Sequence, residues 1–218
     1  MKIRIGLFGT LCALVLSSTS AHAQNDEDDD EDRRENLELG IKAGLNISNV
    51  WDARDEAFNA DARIGFAGGV FVGLPIGKFI GIQPEILLSQ KGFQGSGVLL
   101  GTPYSFTRKT LFLDVPVLLQ IKPAKYLTFV VGPQFSYLIN KNDKYTFGSN
   151  SVEQQEDFDN ENIRKNILGF VAGFDVIYDH FVFSGRAALD AQTNRGDGTS
   201  TTPRYKNQWL QFTVGYKL

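Results

Sequence analysis

Apolar and polar residues alternate with period two in eight separate segments after Leu37. This pattern predicts β-strands with one apolar face each. In the first segment Leu37, Leu39, Ile41, Ala43, Leu45 and Ile47 oppose Glu38, Gly40, Lys42, Gly44 and Asn46. The second sets Ile64, Phe66, Val70 and Val72 against Gly65, Ala67, Gly69 and Gly73, and the third sets Ile80, Ile82, Ile86 and Leu88 against Gln83, Glu85, Ser89 and Lys91. In the fourth, Leu111, Leu113, Val115, Val117, Leu119 and Ile121 form an unbroken aliphatic row, while Thr110, Asp114, Pro116 and Gln120 share the other face with Phe112 and Leu118. The fifth places Leu127, Phe129, Val131, Phe135, Tyr137 and Ile139 opposite Thr128, Gly132, Gln134 and Ser136. The sixth opposes Leu168, Phe170, Phe174, Val176 and Tyr178 to Gly169, Gly173 and Asp175. The seventh opposes Phe181, Phe183, Ala187, Leu189 and Ala191 to Ser184, Arg186, Asp190 and Gln192. The last opposes Leu210, Phe212, Val214, Tyr216 and Leu218 to Gln211, Thr213, Gly215 and Lys217.

The connectors alternate in length. Residues 48–63, 92–109, 140–165 and 193–206 are long, whereas 75–78, 122–125 and 179–180 are short. Together these features predict an all-β fold, an eight-stranded antiparallel up-and-down transmembrane β-barrel with short periplasmic turns and longer external loops. A soluble lipocalin-like barrel or sandwich also alternates, but it would bury the apolar rows and expose the glycines. Facing the rows to lipid removes that difficulty. The segments are also about the 9–11 residues that a tilted membrane strand needs. Tyr178 and Tyr216 at one end and Phe66 and Tyr137 at the other are placed as interfacial aromatics.

Three prolines fall inside predicted strands. A closed barrel has no edge on which to hide a residue that cannot donate a ladder hydrogen bond. A bulge or a missing ladder bond is therefore expected at Pro84, Pro116 and Pro133.

The ends of the chain read differently. Residues 1–23 have a basic start (Lys2, Arg4), an apolar run over residues 7–16 and a small-residue end at Ala21-His22-Ala23, the pattern of a secretory signal peptide. The only cysteine, Cys12, lies in this leader, so disulfides and thiolate chemistry are excluded from the mature protein. With Lys2 and Arg4 removed, twenty basic residues face twenty-five acidic ones, a formal charge of −5 that argues against nucleic acid as a partner. Residues 24–36 carry the run DEDDDED, read as an acidic, disordered periplasmic tail; its carboxylates lack the turn glycine that would close a loop around a cation. The barrel then occupies residues 37–218.

The passage LFLDVPVLLQIKPAKYLTFVVGPQFSYLI, with Asp114 and Pro116, then Gly132-Pro133, then Tyr137-Leu138, resembles the PorT-like outer-membrane β-barrel family of Bacteroidetes. ELGIKAGLNIS, IGIQPEILLSQKG and FTVGYKL look like the same family, so the resemblance spans nearly all of the mature chain. It implies an eight-stranded barrel in the outer membrane of a Gram-negative bacterium, and a link, through the family's namesake, to protein secretion. It brings no catalytic residues. Leu218 stands where many outer-membrane proteins end in an aromatic residue.

Candidate chemistry is sparse. After the leader only His180 remains as a histidine, in a predicted periplasmic turn, so a hydrolytic site at the external rim would lack its usual base. No enzyme activity, catalytic residue, metal or cofactor is expected. An eight-stranded barrel is just wide enough for side chains to fill it. Lys42, Glu85, Asp114, Arg186 and Asp190 are therefore expected to form a lumen ion network, because an unpaired charge there would cost several kcal/mol. That network makes the interior a plug rather than a channel; a narrow ion pore is the rival reading. The external loops supply the remaining contacts. Loop three (Tyr145, Phe147, Phe158, EQQEDFDNEN) and loop one (Trp51, Phe58) are candidate surfaces for a protein or glycan partner. Arg195-Gly196-Asp197 in loop four is read as a turn rather than an adhesion motif. The expected partners are outer-membrane lipid and, during biogenesis, the barrel-assembly machinery. A non-enzymatic barrel with a packed polar lumen is the leading functional reading, and a secretion or assembly accessory is the second.

Overall fold

Every strand in the computed structural model pairs antiparallel with its neighbours, and the ladder closes on itself. The structure describes residues 33–52, 60–99, 102–148, 150–155, 164–194 and 205–218. The signal peptide, the DEDDDED run, Phe58, Phe158 and Arg195-Gly196-Asp197 lie outside these residues. The strands are β1 (Glu38–Asp52), β2 (Asp61–Gly77), β3 (Ile80–Leu99), β4 (Thr102–Ala124), β5 (Leu127–Phe147), β6 (Asn150–Gln155), β7 (Asn166–Tyr178), β8 (Phe181–Asp190) and β9 (Tyr205–Lys217). Eight of them form the barrel in chain order, with β5 followed by β7 and β9 returning to β1. This is the eight-stranded antiparallel barrel that the alternation predicts. The short β6 is additional and lies against the upper part of β5.

The period-two pattern decides the faces. Ile41, Leu45, Ile47, Val117, Leu119, Ile121, Phe129, Val131, Phe174, Leu210 and Phe212 point out and are exposed in the isolated chain, while Lys42, Asn46, Asp114, Gln120, Gln134, Arg186 and Gln211 point in and are buried. The outward row over residues 111–121 of β4, at about 3.3 Å per residue and a tilt of about 40°, climbs about 25 Å, the height of the apolar band of such barrels. Glycine on the inner face lets neighbouring strands approach closely. A Cβ on Gly44 would sit well inside contact distance of the Phe212 carbonyl on β9.

At each of the three prolines the ladder is interrupted without a change of register. Between β2 and β3 the pairs jump from Phe71↔Glu85 to Leu74↔Ile82 around Pro84. Between β3 and β4 they jump from Leu87↔Asp114 to Pro84↔Val117 beside Pro116. Between β4 and β5 they jump from Pro116↔Gln134 to Leu119↔Val131 beside Pro133. The outcome is missing pairing, not a bulge, because each proline removes a donor without adding a residue.

Two expected loops are largely strand. Residues 92–109 continue β3 and β4, and much of 140–155 continues β5 and forms β6. These segments are polar enough to read as loops, but beyond the membrane a β-sheet needs no lipid-facing apolar row. Near Ile139 a genuine irregularity occurs, where the β4–β5 register shifts between Leu111 and Phe112. Above it Lys141 and Asp143, rather than the even-numbered residues, turn inward.

Candidate functional site: the filled lumen and its external extension

Inward-facing side chains group by height along the barrel. In the lower group Glu85 Oε1 accepts hydrogen bonds from Lys42 Nζ at 2.9 Å, Arg186 NH1 at 2.7 Å and Gln83 Nε2 at 2.6 Å. Arg186 NH2 also reaches Asp175 at 3.2 Å. Two cations face two carboxylates, with side chains almost wholly buried. Lys42 Nζ further lies 5.0 Å from the centre of the inward Phe71 ring.

An apolar layer follows. Leu118, Val130, Val171, Ala188 and Trp209 pack together. The inward sequence of single strands fixes its height: Ala188 stands between Arg186 and Asp190 on β8, and Trp209 between Gln211 and Asn207 on β9.

Above this layer Lys91 Nζ donates to Asp114 Oδ1 at 3.0 Å and to Ser136 Oγ at 3.3 Å. The same ammonium sits 3.7 Å from the Trp209 ring centre and 4.7 Å from that of Phe112. Asp190 accepts from the Asn207 backbone at 3.1 Å and from its side-chain amide. Asn46, the ladder partner of Gln211, which lies below Trp209 on β9, joins Gln211 at 3.0 Å and Ser89 at 2.7 Å, and so stands beside the apolar layer rather than above it. Phe112, Leu138 and Ile167 form a second apolar cluster.

At the external mouth Arg108 holds Asp143 with two parallel hydrogen bonds and donates to the Tyr205 hydroxyl at 3.1 Å. Lys141 Nζ lies 3.2 Å from Asp143 Oδ2. Val50, Phe93 and Tyr205 close over this pair, and Phe106 packs against them. At the periplasmic mouth a single 3-10 turn, Arg33–Glu35, crosses toward Lys122. Arg34 donates to the Lys122 carbonyl at 3.3 Å, Lys122 Nζ returns a bond to the Arg34 carbonyl at 3.1 Å, and the Arg34 guanidinium lies 5.2 Å from the Phe79 ring centre.

The five residues expected to form one network thus occupy two groups. Lys42, Glu85 and Arg186 meet; Asp114 pairs instead with Lys91, and Asp190 with Asn207, on the other side of the Trp209 layer. Height along the barrel separates them, and an apolar cluster contributed by β4, β5, β7, β8 and β9 stands between. Lys91 and Asp175 are the missed partners. Both have the inward parity in the sequence, so the signal was present. Arg108, Lys141 and Asp143 fall in segments read as loops, and the irregularity at Ile139 reverses the parity that would have revealed the last two. Phe112 and Leu118, which share the Asp114 face, belong to apolar clusters of the lumen.

Above the mouth β3, β4, β5 and β6 continue as a four-stranded external sheet. Its inner face continues the lumenal one, since Arg108 pairs with Phe93 and Asp143, Phe106 with Gly95 and Tyr145, and Tyr104 with Gly97 and Phe147. Tyr145 pairs in turn with Val152 on β6. Tyr104, Tyr145, Phe147 and Val152 remain exposed, at 42%, 46%, 48% and 57%. The Phe106 and Tyr145 rings are 4.7 Å apart, and Phe106 lies 5.6 Å from Phe93, so an aromatic column runs from the buried mouth to the exposed sheet.

Comparison with known proteins adds the family. No curated protein matches the chain significantly. Among solved structures it resembles Ail, the attachment invasion locus protein of Yersinia pestis, at 13% identity over 83% of this chain and 98% of that one, with a TM-score of 0.48. It also resembles Neisserial surface protein A at 10% identity (83% and 97% covered, TM-score 0.42) and OprG from Pseudomonas aeruginosa at 12% (87% and 99% covered, TM-score 0.38). Likeness at this level carries nothing about activity. Residues 22–189, most of the chain, match the family described as outer membrane protein beta-barrel domain. The chain belongs to that family and is an integral β-barrel of the outer membrane.

Proposed function

We propose that this barrel is a closed, non-catalytic membrane scaffold that presents its external sheet to a partner. The observation that carries the reading is the packing of the lumen: buried, paired charges lie on both sides of the Trp209 cluster, so the groups that would line a conducting path fill it instead. Against catalysis, the described histidine, His180, lies in the β7–β8 turn beside Asp179 at 2.8 Å, and the carboxylate at the external mouth, Asp143, is held by Arg108 and Lys141. In planar bilayers the purified barrel is expected to give no stable single-channel steps. Large, long-lived steps would defeat the closed-scaffold reading and favour the ion pore.

The second reading, an accessory in protein secretion, comes with the narrower affiliation to PorT-like barrels carried by Asp114, Pro116, Gly132-Pro133 and Tyr137-Leu138. The exposed aromatic face favours it, because an accessory needs a contact surface outside the membrane. In either reading residues 1–23 serve as the leader and the acidic tail of residues 24–36 is periplasmic; its end at Arg33–Glu35, expected to be disordered, is instead held against Lys122 at the barrel mouth. The barrel-assembly machinery inserts residues 37–218.

A further inference from the structure

The ladder between β2 and β3 carries a bulge near its external end, where residues 63–66 of β2 lie opposite residues 90–92 of β3. Bulges of this kind re-aim side chains. Two inward residues of β1 reach across the broken pairing. Asn46 donates to the Phe66 and Gln90 carbonyls at 3.4 Å and 3.2 Å. The Ser48 hydroxyl accepts from the Gly92 amide at 2.9 Å and stands 3.2 Å from the Arg63 carbonyl, which ties the backbone at Arg63 in place. Arg63 is the ladder partner of Ser48, itself almost wholly buried, so the Arg63 side chain takes the inner face. Ala62 pairs with Phe93, and Ala60 packs against the Val50, Phe93 and Tyr205 cluster, which puts Arg63 at the external mouth.

This guanidinium has no counter-charge. Lys42, Lys91, Arg108, Lys122, Lys141 and Arg186 on the inner face each have a carboxylate within 4.0 Å. Among the described residues Arg63 has none, Asp61 on the same strand included. Its Nη1 is buried without a hydrogen bond, although the residue as a whole is partly exposed. A buried charged donor left unpaired is costly, and native proteins seldom keep one without a use.

We infer that Arg63 binds a small oxyanion of the phosphate or carboxylate class that enters from the external side. The planar fork of a guanidinium matches two oxygens of either group. The exposed part of the side chain meets the anion first, and rotation about the last side-chain bonds turns Nη1 toward it. Size is limited by Val50, Phe93 and Tyr205, which close the mouth beside it. Arg108 does not compete, because Asp143 already fills its fork. The site is independent of the closed-scaffold reading, since a barrel that conducts would carry it equally.

The test uses the full chain, with isotope-labelled arginine, in nanodiscs of zwitterionic lipid at neutral pH. The Arg63 side-chain magnetic-resonance signal is identified by its loss in Arg63→Gln, or in Arg63→Lys should the first variant not fold. Inorganic phosphate and acetate are the probes, with chloride at matched ionic strength as the control. The Arg63 signal is expected to shift saturably at anion concentrations at least about 10-fold below those at which chloride moves it, while the Arg108 signal stays in place. Saturation by phosphate alone assigns the phosphate class, and by acetate alone the carboxylate class. In urea unfolding the same anion is expected to raise the midpoint of the parent and to leave that of Arg63→Gln unchanged. Shifts that follow ionic strength whatever the anion would overturn the inference, as would equal stabilisation of parent and variant. A parent signal that moves with neither anion overturns it outright. If Asp55→Asn with Glu56→Gln then makes that signal responsive, the counter-charge is the chain's own first loop.

Discussion

Replacing Glu85 by alanine is expected to lower the unfolding free energy by about 3–5 kcal/mol, because it strands charges inside the barrel. Glu85 is the only carboxylate that touches both Lys42 and Arg186 among the described residues. Without it two cations share Asp175, in a space almost free of solvent. Replacing both members of a pair should behave differently. Glu85→Met with Arg186→Met removes one charge of each sign and leaves Lys42 with Asp175, so it is expected to cost less than Glu85→Ala alone. Reversible urea unfolding in phospholipid vesicles, followed by tryptophan fluorescence, measures both. If Glu85→Ala costs under about 1 kcal/mol, water reaches the cluster and relieves it, and the picture of a sealed lumen falls.

The comparison of Glu85 with Asp114 also shows how far the sequence could be read. Both are inward-facing acids in strands of clear alternation, and period two placed them correctly on the inner face. Parity says nothing about height, however. Which inward residues share a level depends on strand tilt and register around the whole barrel. Parity alone therefore groups Asp114 with Lys42 and Arg186, though its partner, Lys91, sits on the adjacent β3. Apolar inward residues were harder still. Phe112 and Leu118 interrupt a polar face, and Trp209 has inward parity beside a lipid-facing Leu210; in a short window such residues look like noise in the alternation. The external sheet was least legible of all, because outside the bilayer neither face has to be uniformly apolar. Tyr145 and Phe147 read as loop residues in the sequence, and only pairing with Phe106 and Tyr104 reveals that the four share one face.

Trp209→Ala is expected to be the most costly apolar substitution in the lumen, at about 3–5 kcal/mol, because the ring is almost wholly buried and its aliphatic neighbours cannot collapse into the space it leaves. The ring also stabilises the Lys91 ammonium above it, at 3.7 Å from its centre. In this desolvated setting that contact is worth up to about 2 kcal/mol. Trp209→Phe keeps a ring in place and should lose distinctly less than Trp209→Ala, with unfolding followed by far-ultraviolet circular dichroism because the reporter fluorophore is altered. The two variants should also differ in bilayers. A cavity lined only by aliphatic groups stays dry, but the space left by Trp209 would be roofed by Lys91, and a charged wall draws water in. Trp209→Ala is thus expected to admit small ionic currents where the parent and Trp209→Phe are silent. If all three are silent while the stability loss is as large as stated, the apolar layer holds the fold together but does not by itself close the barrel, and the seal lies with the Arg108–Asp143 pair at the external mouth.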